Sequence, residues 1–127
     1  MSWFFSDEKN SYVEDVARGL IRGDAWVPPL WHIEVANTLL VGERRKRCTY
    51  DDVVQWIAYI VAFPIQVDEL HGASVFGNVI SLARAYGLSS YDAMYLELAQ
   101  RRELPLATLD LRLRKAAKAA GISLYLS

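Results

Sequence analysis

The sequence has little of several residue types that small proteins use to build a site or hold a fold. Its 127 residues include one cysteine, Cys48, and two histidines, His32 and His71. A single cysteine excludes an internal disulfide, and no Cys/His spacing matches a zinc site. No stretch approaches the roughly 18 apolar residues of a membrane span, and Asp7 and Glu8 interrupt the start before an apolar run of signal-peptide length. We therefore expect a soluble, cytoplasmic protein.

Excess charge of one sign is also lacking. Fourteen Lys and Arg residues oppose fifteen Asp and Glu residues, which gives a formal net charge of −1. This balance excludes a protein held on nucleic acid by overall basicity, although a local basic surface remains possible. The composition is 53% hydrophobic, with no internal repeat and no linker rich in Pro, Gly or Ser. These features predict one domain over residues 1–127 with enough apolar area for its own core.

Helical and strand patterns alternate along the chain. The apolar spacing and the capping residues predict helices over residues 6–22, 30–44, 49–63, 72–86 and 111–120. They predict a further helix that begins at Ser89 or Ser90 and runs to about Glu103. Short apolar runs bounded by Pro or Gly predict strands over residues 25–28, 65–67, 104–109 and 122–126. Short strands separated by helices are typical of an α/β fold around a parallel sheet, in which sites form beyond the carboxyl ends of the strands.

Three acids interrupt apolar surroundings. Glu34 lies in a helix of core residues, Asp92 lies in the first turn of a later helix, and Asp110 directly follows a predicted strand. Each has a purely structural interpretation, since Asp92 complements a helix dipole, Asp110 is a plausible N-cap and Glu34 could be solvated. If the three converge at one end of the sheet, their mutual repulsion favours a hard divalent cation such as Mg²⁺ or Mn²⁺. Such an ion suits the hydrolysis of phosphodiesters.

Two groups of cations allow both a structural and a functional interpretation. Residues 44–47 read Arg-Arg-Lys-Arg and follow a predicted helix, so they either complement its dipole or bind phosphates of RNA. Arg112, Arg114, Lys115 and Lys118 follow Asp110 closely and either solvate a helix or guide phosphates.

Four segments in a fixed order resemble the PIN-domain ribonucleases, specifically the VapC-type toxins of bacterial and archaeal toxin–antitoxin pairs. The segments are Trp3-Phe4-Phe5 with Asp7-Glu8, Pro28 through Glu34-Val35-Ala36-Asn37, Ser90-Tyr91-Asp92-Ala93 with Tyr95 through Ala99, and Ala107-Thr108-Leu109-Asp110 with Leu113 and Ala116-Ala117. The resemblance implies a PIN-like three-layer α/β domain, with a short parallel sheet flanked by helices. It also implies that Glu34, Asp92 and Asp110 hold Mg²⁺ or Mn²⁺ and that Thr108 lies near them. It further implies cleavage of RNA, a homodimer and a cognate antitoxin that covers the site.

The sequence departs from the family pattern at its start. The family's first acid lies on a strand upstream of the Trp-Phe-Phe segment, whereas this sequence begins at Met1, two residues before Trp3. Two explanations remain open. Either Met1 is internal to a longer native chain, or the chain is a degenerate member that dimerises or binds an antitoxin without cleaving RNA. For the chain as given we expect impaired metal binding.

Overall fold

The computed structural model describes residues 25–108 and 110–125. The helix predicted over residues 6–22 lies outside these ranges. The elements in chain order are β1 (Trp26–Val27), α1 (Trp31–Arg44), α2 (Tyr50–Ala62), β2 (Gln66–Val67), α3 (Gly72–Ser74), a π-helical segment (Val75–Val79), α4 (Ile80–Tyr86), α5 (Ser90–Arg101) and α6 (Leu111–Ala119). Short parallel strands alternate with helices, which confirms the predicted α/β, PIN-like fold class.

The described residues form two compact units. Residues 30–66 belong to the first unit, and Val27–Pro29 with residues 67–125 belong to the second. The prediction of a single domain over residues 1–127 is therefore still a prediction. None of the helices in the described ranges is long and apolar enough to cross a membrane.

Helices α1 and α2 of the first unit begin where the sequence predicts. α1 follows the Pro28-Pro29 pair and buries Trp31, Val35 and Leu39, which recur every fourth residue on one face. α2 begins at a capping box, in which Thr49 Oγ1 accepts a hydrogen bond from the Asp52 N–H at 3.1 Å and Asp52 Oδ2 accepts one from the Thr49 N–H at 2.9 Å. These bonds satisfy two of the donors that a helix start leaves without partners.

The strands β1 and β2 run parallel. The Gln66 N–H donates to the Ala25 carbonyl at 3.0 Å, and the Asp68 N–H donates to the Val27 carbonyl at 2.8 Å. Both donors and acceptors advance in the same direction along the chain, as in a parallel ladder. Asp68, a buried acid, is the residue directly after β2.

The two later strands are much shorter than predicted. Within the described residues, the strands predicted over 104–109 and 122–126 reduce to one parallel bridge between Leu106 and Leu124. The Leu104 N–H closes the end of α5, Pro105 has no N–H, and the Ile122 N–H closes the end of α6. Helix ends thus use backbone donors that a longer ladder would need.

The second unit has a continuous apolar core built mainly from α5 and α6. Its buried members share small or aliphatic side chains: Val79, Leu88, Ala93, Leu96, Ala99, Leu106, Leu113, Ala116, Ala117 and Ile122. The helix predicted over residues 72–86 is present but not uniform, because Val75–Val79 adopts π-helical hydrogen bonding. A single apolar period does not distinguish π from α geometry, so the sequence alone did not indicate this segment.

Four helices end with the same left-handed turn. Gly87 and Gly121 supply the positive φ after α4 and α6, and Lys46 and Glu103 supply it after α1 and α5, with φ of 59° and 54°. At each end the next residue's N–H bonds a carbonyl five residues earlier, which is the pattern of the Schellman motif. A left-handed conformation favours glycine, so Lys46 and Glu103 are the unusual occupants.

Candidate functional site

Asp92 lies in the first turn of α5. Ser89 caps that helix, because its Oγ accepts a hydrogen bond from the Asp92 N–H at 3.1 Å. The Asp92 side chain is half-buried, and within the described ranges no residue forms a hydrogen bond or an ion pair with its carboxylate. A helix N-terminus stabilises such a negative charge. Asp92 thus offers carboxylate oxygens to a ligand, while Ser89 already caps the helix.

Asp110 has a structural role of its own. Its Oδ1 accepts a hydrogen bond from the Leu113 N–H at 3.0 Å and caps α6, as the structural interpretation of the sequence predicted. The side chain is exposed, and a carboxylate has two oxygens, so capping through Oδ1 does not exclude a second ligand on Oδ2.

Thr108 and Arg114 fix the backbone around Asp110. Thr108 Oγ1 accepts a hydrogen bond from the Asp110 N–H at 3.1 Å, and Arg114 Nη1 donates to the Thr108 carbonyl at 2.9 Å. The contact of Thr108 is with the Asp110 main chain, which restricts where the carboxylate can point. The guanidinium of Arg114 braces α6 against the segment before it, a role that the sequence did not predict.

Glu34 lies in the first turn of α1 and is half-buried. Its carbonyl accepts a hydrogen bond from Thr38 Oγ1 at 2.9 Å, within the polar stripe that follows Glu34 along the helix. Glu34 belongs to the first unit, whereas Asp92 and Asp110 belong to the second.

The chemistry of these donors suits a hard divalent cation, but their grouping stays a prediction. Carboxylate oxygens are the ligands that Mg²⁺ and Mn²⁺ prefer. Over residues 25–108 and 110–125, no three His, Cys, Asp or Glu side chains lie close enough together to hold a metal ion. Glu34, Asp92 and Asp110 therefore stay individual predictions.

A buried ion network near α5 is the feature that the sequence interpretation missed. Asp68 and Glu97 have side chains only 3% exposed. Arg101 binds both, with Nε donating to Glu97 Oε1 at 2.8 Å, Nη1 donating to Asp68 Oδ1 at 3.2 Å and Nη2 donating to Asp68 Oδ2. Arg102 Nε donates to Asp68 Oδ1 at 2.7 Å. The network joins the residue after β2 to the helix that carries Asp92.

Asp68 and Arg101 each stabilise the charged form of the other. Hydrogen bonds from Arg101 lower the pKa of the Asp68 carboxyl, and those from Arg102 add to the effect, although burial acts in the opposite direction. The same contact with Asp68, followed by that with Glu97, raises the pKa of Arg101. Asp68 is thus a structural anion and not a poised acid or base.

Cys48 is not a candidate nucleophile or metal ligand. It is buried, and burial followed by the negative charges of Asp52 and Glu43 raises its pKa. A thiol held protonated in this way is a poor nucleophile and a poor metal ligand.

Comparison with protein-family models shows the family of this chain. The PIN domain family model matches residues 1–119. The chain belongs to the PIN-domain family. PIN domains are generally nucleases and typically depend on divalent metal ions. The predicted metal ligands Glu34, Asp92 and Asp110 carry the carboxylate oxygens that such ions prefer. A comparison with curated proteins found no match for the chain.

Proposed function

We propose that this protein is an endoribonuclease toxin of the VapC type, which hydrolyses RNA phosphodiester bonds and is neutralised by a cognate antitoxin. The observation that carries the proposal is Asp92, a half-buried carboxylate that no described residue binds, in a chain of a nuclease family. Glu34 and Asp110 supply further carboxylates at helix starts. Substrate, toxin role and antitoxin are parts of the proposal.

Each residue has a defined task in this proposal. Glu34, Asp92 and Asp110 would hold Mg²⁺ or Mn²⁺, which when bound supplies an activated water and offsets charge on the phosphate. Asp92 lies in the first turn of α5, where the helix dipole favours a negative charge. Thr108 holds the Asp110 backbone, and the cap on α6 limits the rotamers of the Asp110 carboxylate. No histidine or lysine base is required.

Chelation of divalent ions is expected to abolish RNA cleavage. The purified protein is incubated with a fluorescently labelled RNA in Mg²⁺ or Mn²⁺, with EDTA, and with EDTA followed by excess Mn²⁺. We expect cleavage in the first and third samples only, since the proposed site takes its activated water from the cation. Circular dichroism with EDTA is the control and is expected to show an unchanged fold. Cleavage that survives EDTA, or no cleavage in either metal, would contradict the proposal.

The second candidate is a PIN-like interaction module that binds a partner without cleaving RNA. Titration calorimetry with Mn²⁺ distinguishes the two functions. Undetectable Mn²⁺ binding together with retained antitoxin binding supports the module, and Mn²⁺ binding that requires Asp92 supports the nuclease.

Self-association is the remaining part of the proposal. The exposed side chains Tyr50, Val54, Ile57 and Val61 recur along one face of α2 at heptad spacing. This face carries no charge, so pairing two copies of it buries no unpaired ion. Light scattering is expected to give twice the monomer mass of 14.4 kDa, and Val54→Asp is expected to give the monomer. A monomeric wild-type chain would refute the homodimer.

A further inference from the structure

We propose that the basic turn, residues 44–47, binds phosphates of the RNA several nucleotides away from the bond that is cut. This inference rests on the proposed function and names a binding surface for its substrate. The turn connects α1 to the cap of α2, and all four of its cationic side chains are exposed. Four consecutive exposed cations are the densest positive charge in a chain whose formal net charge is −1.

Three of these four cations form no ion pair with an acid in the described part of the chain. Within the described part of the chain, Arg44, Arg45 and Lys46 form no ion pair. Of the nearest acids in sequence, Asp52 is engaged in the capping box with Thr49. The charge of Arg44, Arg45 and Lys46 is therefore available to a ligand. The ligand that matches a row of exposed Arg and Lys in a nuclease is the phosphate backbone of a nucleic acid.

The backbone holds the turn in one shape. The Lys46 N–H donates to the Glu43 carbonyl at 3.1 Å, and the Arg47 N–H donates to the Gly42 carbonyl at 2.9 Å. Lys46 is in the left-handed region at φ 59°, where the equivalent turns after α4 and α6 have glycine. The chain thus keeps a cation at a position where glycine would be more stable, as is common at binding sites.

The helix dipole does not account for the whole run. Cations complement the negative end of a helix only within its last turn. Arg44 occupies the last turn of α1 and Arg45 the C-cap, so these two residues meet that requirement. Lys46 and Arg47 lie beyond the cap and have no such role.

The position of the turn defines which phosphates it can bind. Eleven residues separate Glu34 from Arg45 along α1, a rise of about 16 Å. Phosphates at the turn are therefore remote from a bond cleaved near Glu34. Contacts of this kind bind the ground state and the transition state equally, so they lower KM and leave kcat unchanged.

The test compares two glycine substitutions at equivalent turns. Lys46→Gly removes a cation and relieves the positive φ, and Glu103→Gly relieves the same strain after α5 without removing a cation. Both variants are expected to be at least as stable to heat as the wild type. Binding of a labelled single-stranded 20-nucleotide RNA is measured in EDTA by fluorescence anisotropy at several salt concentrations. Cleavage kinetics on the same RNA are measured in Mg²⁺.

We expect Lys46→Gly to weaken RNA binding several-fold, to reduce the slope of log K against log salt by about 0.7, and to raise KM with kcat unchanged. Lys46→Arg is expected to restore binding, and Glu103→Gly to bind as the wild type does. The inference is overturned if Lys46→Gly has the RNA affinity and the salt slope of the wild type. If that variant also binds the antitoxin more weakly, the turn instead contacts an acidic protein surface. If the wild type cleaves RNA and Lys46→Gly binds RNA as the wild type does, only the inference about the basic turn is refuted. If RNA binding depends on the basic turn but the wild type does not cleave RNA, only the proposed nuclease function is refuted.

Discussion

Replacement of Asp92 by asparagine is expected to lower the rate of RNA cleavage about 100-fold or more, which corresponds to about 2.7 kcal/mol in the barrier. Asparagine keeps the shape of the side chain but removes the negative charge that a divalent ion requires. Ser89 caps α5, so the helix start is preserved and only a small dipole contribution is lost. The measurement is kcat on a labelled RNA in Mg²⁺, with Mn²⁺ affinity measured by calorimetry.

Asp110 tests the same site with its structural role held constant. Asp110→Asn keeps an excellent N-cap for α6, whereas Asp110→Ala would lose about 1 kcal/mol of stability and confuse the two effects. We expect Asp110→Asn to melt near the wild type and to lose most of its cleavage activity. The control is Glu69→Gln, because Glu69 is 89% exposed and belongs to the same unit as both acids. Full activity in both Asp92→Asn and Asp110→Asn would show that these acids hold no metal.

Local signals in the sequence predicted most of the helices. Thr49 with Asp52 predicted the start of α2, and Gly87 and Gly121 predicted the ends of α4 and α6. Each of these signals acts through hydrogen bonds or dihedral angles of residues a few positions apart, so it can be read without knowing the fold. The same locality predicted Asp110 as an N-cap.

Features that depend on distant partners were not predictable. Arg101 and Asp68 are 33 positions apart, and no pattern in the chain pairs them. The pair Glu97 and Arg101, by contrast, lies at spacing i, i+4 in one helix, so the sequence alone could have indicated it. The later strands were predicted too long, because the apolar runs gave no sign that helix ends would use the N–H groups of Leu104 and Ile122. The grouping of Glu34, Asp92 and Asp110 stays a prediction, because local signals in the sequence do not determine long-range packing.

Removal of the Arg101 side chain is expected to have the largest effect on stability. Arg101→Ala leaves Glu97 buried without its cation, and Asp68 keeps only Arg102. Breaking a fully buried pair costs about 3–5 kcal/mol, and because the Arg101 side chain is 41% exposed we expect about 2–4 kcal/mol. Urea unfolding followed by circular dichroism measures the loss. Arg84→Ala, on the surface of α4, is the matched control and should change stability by less than about 0.5 kcal/mol.

The dependence of this loss on pH identifies its cause. The folded-state pKa of Asp68 is lowered, so its ion pairs contribute stability above the unfolded pKa of about 3.9 and lose that contribution as pH falls through the folded value. The difference in unfolding free energy between wild type and Arg101→Ala should therefore shrink as the pH falls below about 4. If the loss came from packing of the arginine stem, the difference would be the same at every pH. A pH-independent difference would thus show that Arg101 acts by packing, and that Asp68 and Glu97 tolerate burial without it.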